Sequence, residues 1–464
     1  MTIRLHDSLT RRSEPVAADR PLGIYSCGPT VYDRIHVGNA RPFVVAMVLK
    51  RHLDRQGIPS KVVVNVTDVN DKIYVAAQAR GISSTALAAE MTEWYFKDTG
   101  RLGLGRPDVE PLVTETMPEI VALIERLIAG EHAYEADGDV YFSVKSFESY
   151  GGLSGQRPDE MLAEGRVEPG EGKRSPLDFA LWKANKPDED AWWDSPWGRG
   201  RPGWHIECSA MAMKHLGEEI DVHGGGLDLI FPHHENERAQ SEGATGRRFA
   251  GTWLHNGMLR FGDEKMSKSL GNVERLADAL DEWGAETLLL LFARAHYRSP
   301  MDYNDDTLGQ ARAAGLGLRE SLRRLRTAAG DGSGDALIVD EAHRRAAAFD
   351  AALDDDLATP AAIAELFELS RLANRVIDSQ ALSTRGAATV ADVLLSRLDV
   401  LGLAGYGSSD AEVPAEVVKL AEERRGARAA RDFARADELR DQIAAAGFVV
   451  RDAGDEFELV PAPR

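Results

Sequence analysis

Cysteine is almost absent from this chain: Cys27 and Cys208 are the two thiols in 464 residues. So few exclude a disulfide framework as the source of stability, and reduced thiols fit a cytoplasmic protein. Long apolar runs are missing too. None approaches the roughly 20 residues that cross a bilayer, and the opening "MTIRLHDSLTRRSEP" has neither the apolar core nor the cleavage site of a secretory signal, so no membrane role is expected. Positive charge is in deficit, with 55 Lys and Arg against 75 Asp and Glu and a formal charge of −20. That excludes a protein that coats nucleic acid through its overall field and leaves room for a local basic groove. Hydrophobic residues make up 43% of the chain, which excludes disorder, and its length calls for roughly two to four domains.

Near the N-terminus, "LGIYSC" (22–27) reads as a short buried strand, "NARPFVVAMVLKRHLDRQG" (39–57) as an amphipathic helix with a glycine stop, and "SKVVVNVT" (60–67) as a β-branched strand. Strand, helix and strand in this order predict a βαβ unit, hence a parallel sheet with a ligand crevice at the strands' carboxyl ends. From 135 to 200 turn-rich and tryptophan-rich stretches suggest short strands of an insertion. Strand-and-helix texture then resumes, and beyond about 275 the chain becomes helical, interrupted by "AAGDGSGDA" (328–336) and "AGYGSSDAE" (404–412), both flexible by composition.

Four clusters carry chemistry. His36, Gly38 and Asn39 precede the first helix, where glycine lets a nucleotide approach the backbone and the helix end favours phosphate. "KMSKS" holds Lys265 and Lys268 three residues apart between Gly262 and Gly271, as a loop closing over a triphosphate requires; a solvated basic turn reads the same way. "HGGGLDL" (223–229) offers a glycine-lined cradle with Gly225, and Asp228 to accept from ribose hydroxyls, or else a plain turn. Finally, Pro232 at the expected first helical position precedes His233 and Glu237, four apart on one helical face. With Cys27 and Cys208 they would make a tetrahedral zinc site. Buried apolar thiols and a helical ion pair are the plainer reading, since there is no CxxC spacing, and His234 competes with His233.

The stretches "YSCGPTVYDRIHVGNARPF", "RPGWHIECSAM", "DVHGGGLDLIFPHHENERAQS", "HNGMLRFGDEKMSKSLGN" and "HYRSPMDYNDD" resemble, in order, the signatures of the cysteinyl-tRNA synthetases, which are class I aminoacyl-tRNA synthetases. The likeness extends to "RAARDFARADELRDQIAAAGF" and so spans essentially the whole chain. It implies an α/β fold: a Rossmann-type parallel-sheet catalytic domain with an inserted connective segment, then a helical bundle and a small C-terminal anticodon-binding module. It also implies ATP-dependent activation of L-cysteine, transfer to tRNA(Cys) with release of AMP and pyrophosphate, one zinc ion per chain, Mg2+ with the ATP, no editing domain, and a chain acting as a monomer. By position, His36, Asn39, Lys265 and Lys268 fall on the catalytic signatures and Cys27, Cys208, His233 and Glu237 on the zinc ligands. Gly38, Gly225 and Asp228 fall on the ATP site, and Thr30, Trp204 and His223 on the amino-acid pocket. Asn39 departs from the histidine that closes the class I signature; it can donate a hydrogen bond but not as a cation.

The domains expected are a first catalytic half at 1–134, the insertion at 135–200, the second half at 201–260, the lysine-loop domain at 261–310, a bundle at 311–405 and the anticodon module at 406–464. In that module Arg428, Arg431, Phe433 and Asp437 are expected to touch tRNA, in a run where Arg424, Arg425, Arg435 and Arg440 surround the aromatic. Two rivals remain: a related ligase that joins cysteine to an amino sugar, sharing the catalytic motifs but lacking the C-terminal module, and a silent paralogue that only binds tRNA or regulates, in which loss of phosphate-handling residues such as His36, Lys265 and Lys268 would be expected.

Overall fold

The computed structural model describes all residues except 1–2, 17–19, 158–171, 262–263, 266–273, 408–414, 431, 447, 454–455 and 462–464. At its centre four parallel strands, β1 (Leu22–Ser26), β2 (Ser60–Val64), β3 (Ile220–Gly226) and β4 (Ala250–Asn256), stand in the order β4-β3-β1-β2. Leu22 pairs with Ser60 and Ser26 with Val64 on one side of β1, and Ile24 with Val222 on the other. β1 is buried along its whole length, as its apolar run demands of a strand covered on both faces. Because the chain leaves β1 toward β2 and leaves β3 toward β4, the connections diverge between β1 and β3 and open a crevice at their carboxyl ends.

Helix α1 (Val37–Arg55) makes the first crossover. It begins two residues before the position predicted, so Gly38 and Asn39 belong to its first turn and His36 is its N-cap in an extended conformation. The reason lies in the cap: the His36 backbone N–H donates to Asn39 Oδ1 (3.3 Å), satisfying from the third helical position a donor the helix leaves open. Helices α2 (Trp204–Leu216) and α3 (Glu235–Thr245) flank β3 in sequence. Pro232 is not the first residue of α3; it lies in the turn Ile230–His234, with Phe231 extended before it as the proline ring requires.

Between β2 and β3 an antiparallel sheet is built from Ala133–Ala136, Asp139–Phe142, Phe179–Ala184 and Gly200–Pro202. Its neighbouring loop clamps α3, whose polar sequence is nevertheless buried from Glu235 to Ser241. Ser154 N–H donates to Glu235 (2.8 Å), Tyr150 O–H to Asn236 (2.5 Å) and Ser209 O–H to Gln240 (2.7 Å).

Beyond the sheet, helices Asp305–Thr327, Asp335–Asp354, Thr359–Asp378 and Thr384–Val400 pack as a bundle, followed by Ala415–Ala429, Phe433–Ala445 and a terminal hairpin. The break at 328–336 is not slack, contrary to its composition. Gly330 N–H donates to Leu382 O (2.7 Å), Asp331 N–H to Gln380 O (2.9 Å) and Gly334 N–H to Ala381 O (2.8 Å). Asp356, left-handed at φ 57° and buried, joins bundle to sheet. Its carboxylate accepts from His6 N–H (2.8 Å), Tyr297 O–H (2.7 Å) and Arg298 Nε (2.7 Å). Asp356→Ala would leave all three donors unpaired and is expected to lower stability by about 2–4 kcal/mol in urea unfolding. A loss under about 0.5 kcal/mol would mean that apolar packing carries the joint alone.

Candidate metal centre and nucleotide cleft

The crevice opens into a cleft of about 430 Å³. Cys27, Thr30, His36, Gly38, Asn39, Trp204 and Asp228 line it. Each is delivered by a strand end or a helix start: Cys27 directly follows β1, Trp204 opens α2, and Asp228 follows β3. A Cβ at Gly38 would meet the His36 ring at 2.9 Å, so a larger residue there would have to displace that ring. Gly225 lies just behind the cleft, where a Cβ would come within 2.8 Å of the His234 ring.

At the cleft's inner end the sheet gathers donors from distant parts of the chain. Cys27 Sγ lies 3.8 Å from Cys208 Sγ and 3.5 Å from Glu237 Oε1, and His233 Nε2 lies 3.0 Å from that same oxygen. In a tetrahedral site with bonds of about 2.3 Å to sulfur and about 2.0 Å to oxygen, S···S edges measure about 3.8 Å and S···O edges about 3.5 Å. The two edges from Cys27 match that geometry, and the donor atoms of all four side chains lie within 4.8 Å of one another. A second set, Cys27, His223, His234 and Glu237, also brings its donor atoms within 4.8 Å of one another. The first set contains both thiols, whereas in the second His223 Nε2 bonds the other Glu237 oxygen, Oε2 (2.9 Å), and His234 Nδ1 faces His255 Nε2 (2.7 Å). His223 thus holds the Glu237 carboxylate from behind, where an outer partner of a metal site would stand. It is fully buried and stacks on Trp253.

The electrostatics of the cluster follow from this crowding. Hydrogen bonding from Cys27 draws the Cys208 thiol down to about 6 against the cost of burial, while burial and Cys208 push Cys27 up. Burial would raise the Glu237 pKa, yet His223 and His233 hold it well below the usual carboxylate range. Burial would lower His233, but Glu237 and Cys208 carry it to about 10. Burial and neighbouring rings keep His205 and His234 neutral. The cluster is a buried anionic socket that a proton on His233 occupies in part.

Sequence reasoning missed Asn65, fully buried, whose Oδ1 accepts from Gly28 N–H (2.9 Å) and lies 3.8 Å from Cys208 Sγ. It also missed His205, whose Nδ1 meets His233 Nδ1 at 2.9 Å, and His255, which reaches Ser8 (2.7 Å). The ring in "WHIEC" one turn before Cys208 was the available signal.

Other expected residues lie on other elements or outside the described residues. The Lys265 backbone pairs with Arg260 in the strands that follow β4, while its side chain and the whole of Lys268 lie outside the described residues. Arg431 and the Phe433 side chain also lie outside them. Arg428 is exposed on Ala415–Ala429, and Asp437 pairs with Arg440 (3.1 Å). Arg424, expected among the phosphate-facing arginines, is instead buried, because its helix turns that side toward the small core of Val417, Ala421, Ile443 and Phe448.

Residues 13–313 match the tRNA synthetases class I (C) catalytic domain, and 348–405 match the DALR domain. In fold the chain is similar to methionyl-tRNA synthetase of Mycobacterium tuberculosis bound by methionyl-adenylate (TM-score 0.62, 15% identity, 83% of this chain and 90% of that one). It is also similar to a leucyl-tRNA synthetase of Agrobacterium radiobacter in complex with tRNA (TM-score 0.63, 12% identity, 86% of each chain). Fold and cleft together define a class I aminoacyl-tRNA synthetase. Residues 410–458 match the cysteinyl-tRNA ligase anticodon binding domain. The cysteine–tRNA ligase of Brevibacillus brevis is 44% identical over 97% of this chain and 98% of that protein, and that of Xanthomonas campestris is 46% identical over 97% of both. The chain belongs to the cysteinyl-tRNA synthetase family.

Protein purified without chelator is expected to carry about one equivalent of divalent metal, lost in Cys208→Ala, as elemental analysis would show. Full retention in that variant would assign the ion to the His223 and His234 set instead.

Proposed function

We propose that this enzyme activates L-cysteine with ATP and ligates it to tRNA(Cys), releasing pyrophosphate and then AMP. One observation carries the reading: Cys27 lines the nucleotide cleft and is at once a corner of the metal-type donor cluster, so amino-acid recognition and phosphate chemistry meet at one residue. Zinc held by Cys27, Cys208, His233 and Glu237 would supply a soft Lewis acid that takes the substrate's sulfur as thiolate and has little affinity for the hydroxyl of serine. Editing is then unnecessary.

The chain's own residues do the rest. The N-terminus of α1 faces the triphosphate, which arrives with Mg2+, and His36 and Asn39 donate to the phosphoryl oxygens as charge develops. Asn39 spends its carbonyl oxygen on the His36 N–H, which leaves its amide N–H groups for the ligand. Gly225 and Asp228 cradle the adenosine, Thr30 and Trp204 close the amino-acid side with His223 behind, and Lys265 and Lys268 stabilise the leaving pyrophosphate. In activation a cysteine carboxylate oxygen bonds to the α-phosphorus as the bond to the β-phosphate oxygen breaks. In transfer the terminal ribose oxygen of the tRNA bonds to the cysteinyl carbonyl carbon, AMP departs with the electron pair, and the hydroxyl proton passes to its phosphate. We assign 1–134 and 201–260 to the catalytic domain, 135–200 to the insertion, 261–310 to the lysine loop, 311–405 to the bundle, and 406–464, with Arg428, Arg431, Phe433 and Asp437, to anticodon recognition.

The test is ATP–pyrophosphate exchange. Cysteine is expected to support it, with serine at least about a hundredfold poorer in kcat/KM, and a tRNA(Cys) transcript is expected to be charged. Exchange without charging would overturn the tRNA reading in favour of another acceptor, and equal exchange with serine would overturn recognition through sulfur.

A further inference from the structure

We propose that Lys72 and Tyr32 form a second nucleotide corner of the cleft that receives the acceptor end of the tRNA, with Lys72 holding the phosphodiester 5′ to the terminal adenosine. This rests on the reading above and adds residues to its second step.

Lys72 is exposed and lines the same cleft as Cys27, His36 and Asp228, with its Nζ 5.4 Å from the centre of the Tyr32 ring. It is placed by the first turn of helix Asp71–Arg80, where its backbone N–H donates to the capping Asn70 Oδ1 (3.1 Å). The carboxylates nearest in sequence are engaged elsewhere. Asp68 accepts from Thr114 N–H (3.1 Å) and O–H (2.5 Å), and Asp71 is bound by Lys183 (2.9 Å) and Arg201. Arg34, the other long cation lining the cleft, is neutralised by the buried Asp98 at 2.7 Å and lies over Trp94. Among the described residues, then, Lys72 is the cleft-lining lysine without an ion pair.

Its position selects the ligand. The glycine and carboxylate cradle for adenosine lies at the end of β3, and the strands that lead into the lysine loop follow β4, whereas Tyr32 and Lys72 follow β1 and β2 on the opposite half of the sheet. With adenosine on the β3 wall and the amino acid at Cys27, the open approach to the cysteinyl carbonyl runs along Thr30, Tyr32 and Lys72. Val75, one turn beyond Lys72 on its helix, is 68% exposed. An aromatic face beside an unpaired cation is the pairing that single-stranded nucleic acid uses, the ring for a base and the ammonium for its phosphate.

The experiment compares exchange with single-turnover transfer from preformed cysteinyl-adenylate to tRNA(Cys) transcript, for the full chain and for Lys72→Ala and Lys72→Arg. In Lys72→Ala the transfer rate at subsaturating tRNA is expected to fall about ten- to hundredfold more than exchange, the worth of one charged hydrogen bond. The slope of log affinity against log salt should shallow by about 0.7, one phosphate contact on a single strand, and Lys72→Arg should restore most of the loss. Equal loss in both assays would place Lys72 on ATP or cysteine and overturn the proposal, as would no loss in either. Absence of exchange in the unaltered chain would instead sink the activation reading.

Discussion

A carboxylate with no exposed surface sets the terms for the rest of the site. Glu237 sits among two thiols and three imidazoles inside a protein that would expel a lone buried charge, so every neighbour has to compensate it. His233 does so from one oxygen and His223 from the other. Compensation propagates outward, since His233 meets His205 and His234 meets His255, which in turn reaches Ser8. A divalent ion would balance the two thiols and the carboxylate better than one proton on His233 does, which is the physical reason to read the cluster as a socket. The same constraint explains α3: the helix that carries Glu237 tolerates burial of Glu235, Asn236 and Gln240 because loop 149–154 and α2 bond each of them.

Much of this was legible in the sequence, and the residues show why. Strand β1, helix α1 and strand β2 follow from apolar patterning, because burial within a parallel sheet leaves continuous buried runs at 22–26 and 62–64. His233 and Glu237 follow from helical spacing, and Cys27 and Cys208 from their scarcity. Asn65 and His255 were not legible, since what makes them matter is contact across as many as 247 positions, as in His255 with Ser8, and no local pattern encodes that. The glycine-rich break at 328–336 misled for a related reason. Its composition describes the freedom of an isolated chain, and the hydrogen bonds that remove that freedom come from 380–382.

Asn39 shows how a departure from a family signature can be local chemistry. At the third position of α1 a carboxamide acts as the reciprocal partner of a capping box, accepting from the residue it follows, and still has two donors to offer. The charge that a histidine could bring is absent. What remains is geometry fixed by the helix itself, at an end where the peptide dipoles already favour phosphate.

That helix also decides how the two halves of the molecule can communicate. α1 carries the phosphate-facing turn at one end, and 19 residues along, its far end is bound to the bundle: Arg51 to Asp399 (2.6 Å), His52 to Asp354 (2.8 Å), and Arg55 to Asp350 (3.2 Å), which Arg397 also holds (3.0 Å). The partly exposed arginine pairs add little energy each, about 0–1 kcal/mol. The restraint comes from the fully buried His52 and from one apolar core that runs unbroken from Val44, Met47 and Val48 through Leu289 and Leu401 into the bundle at Leu394 and Phe349. Tilting the bundle against α1 would have to open that core, at about 25 cal/mol for each Å² exposed. The bundle and α1 are thus held together as one packed unit.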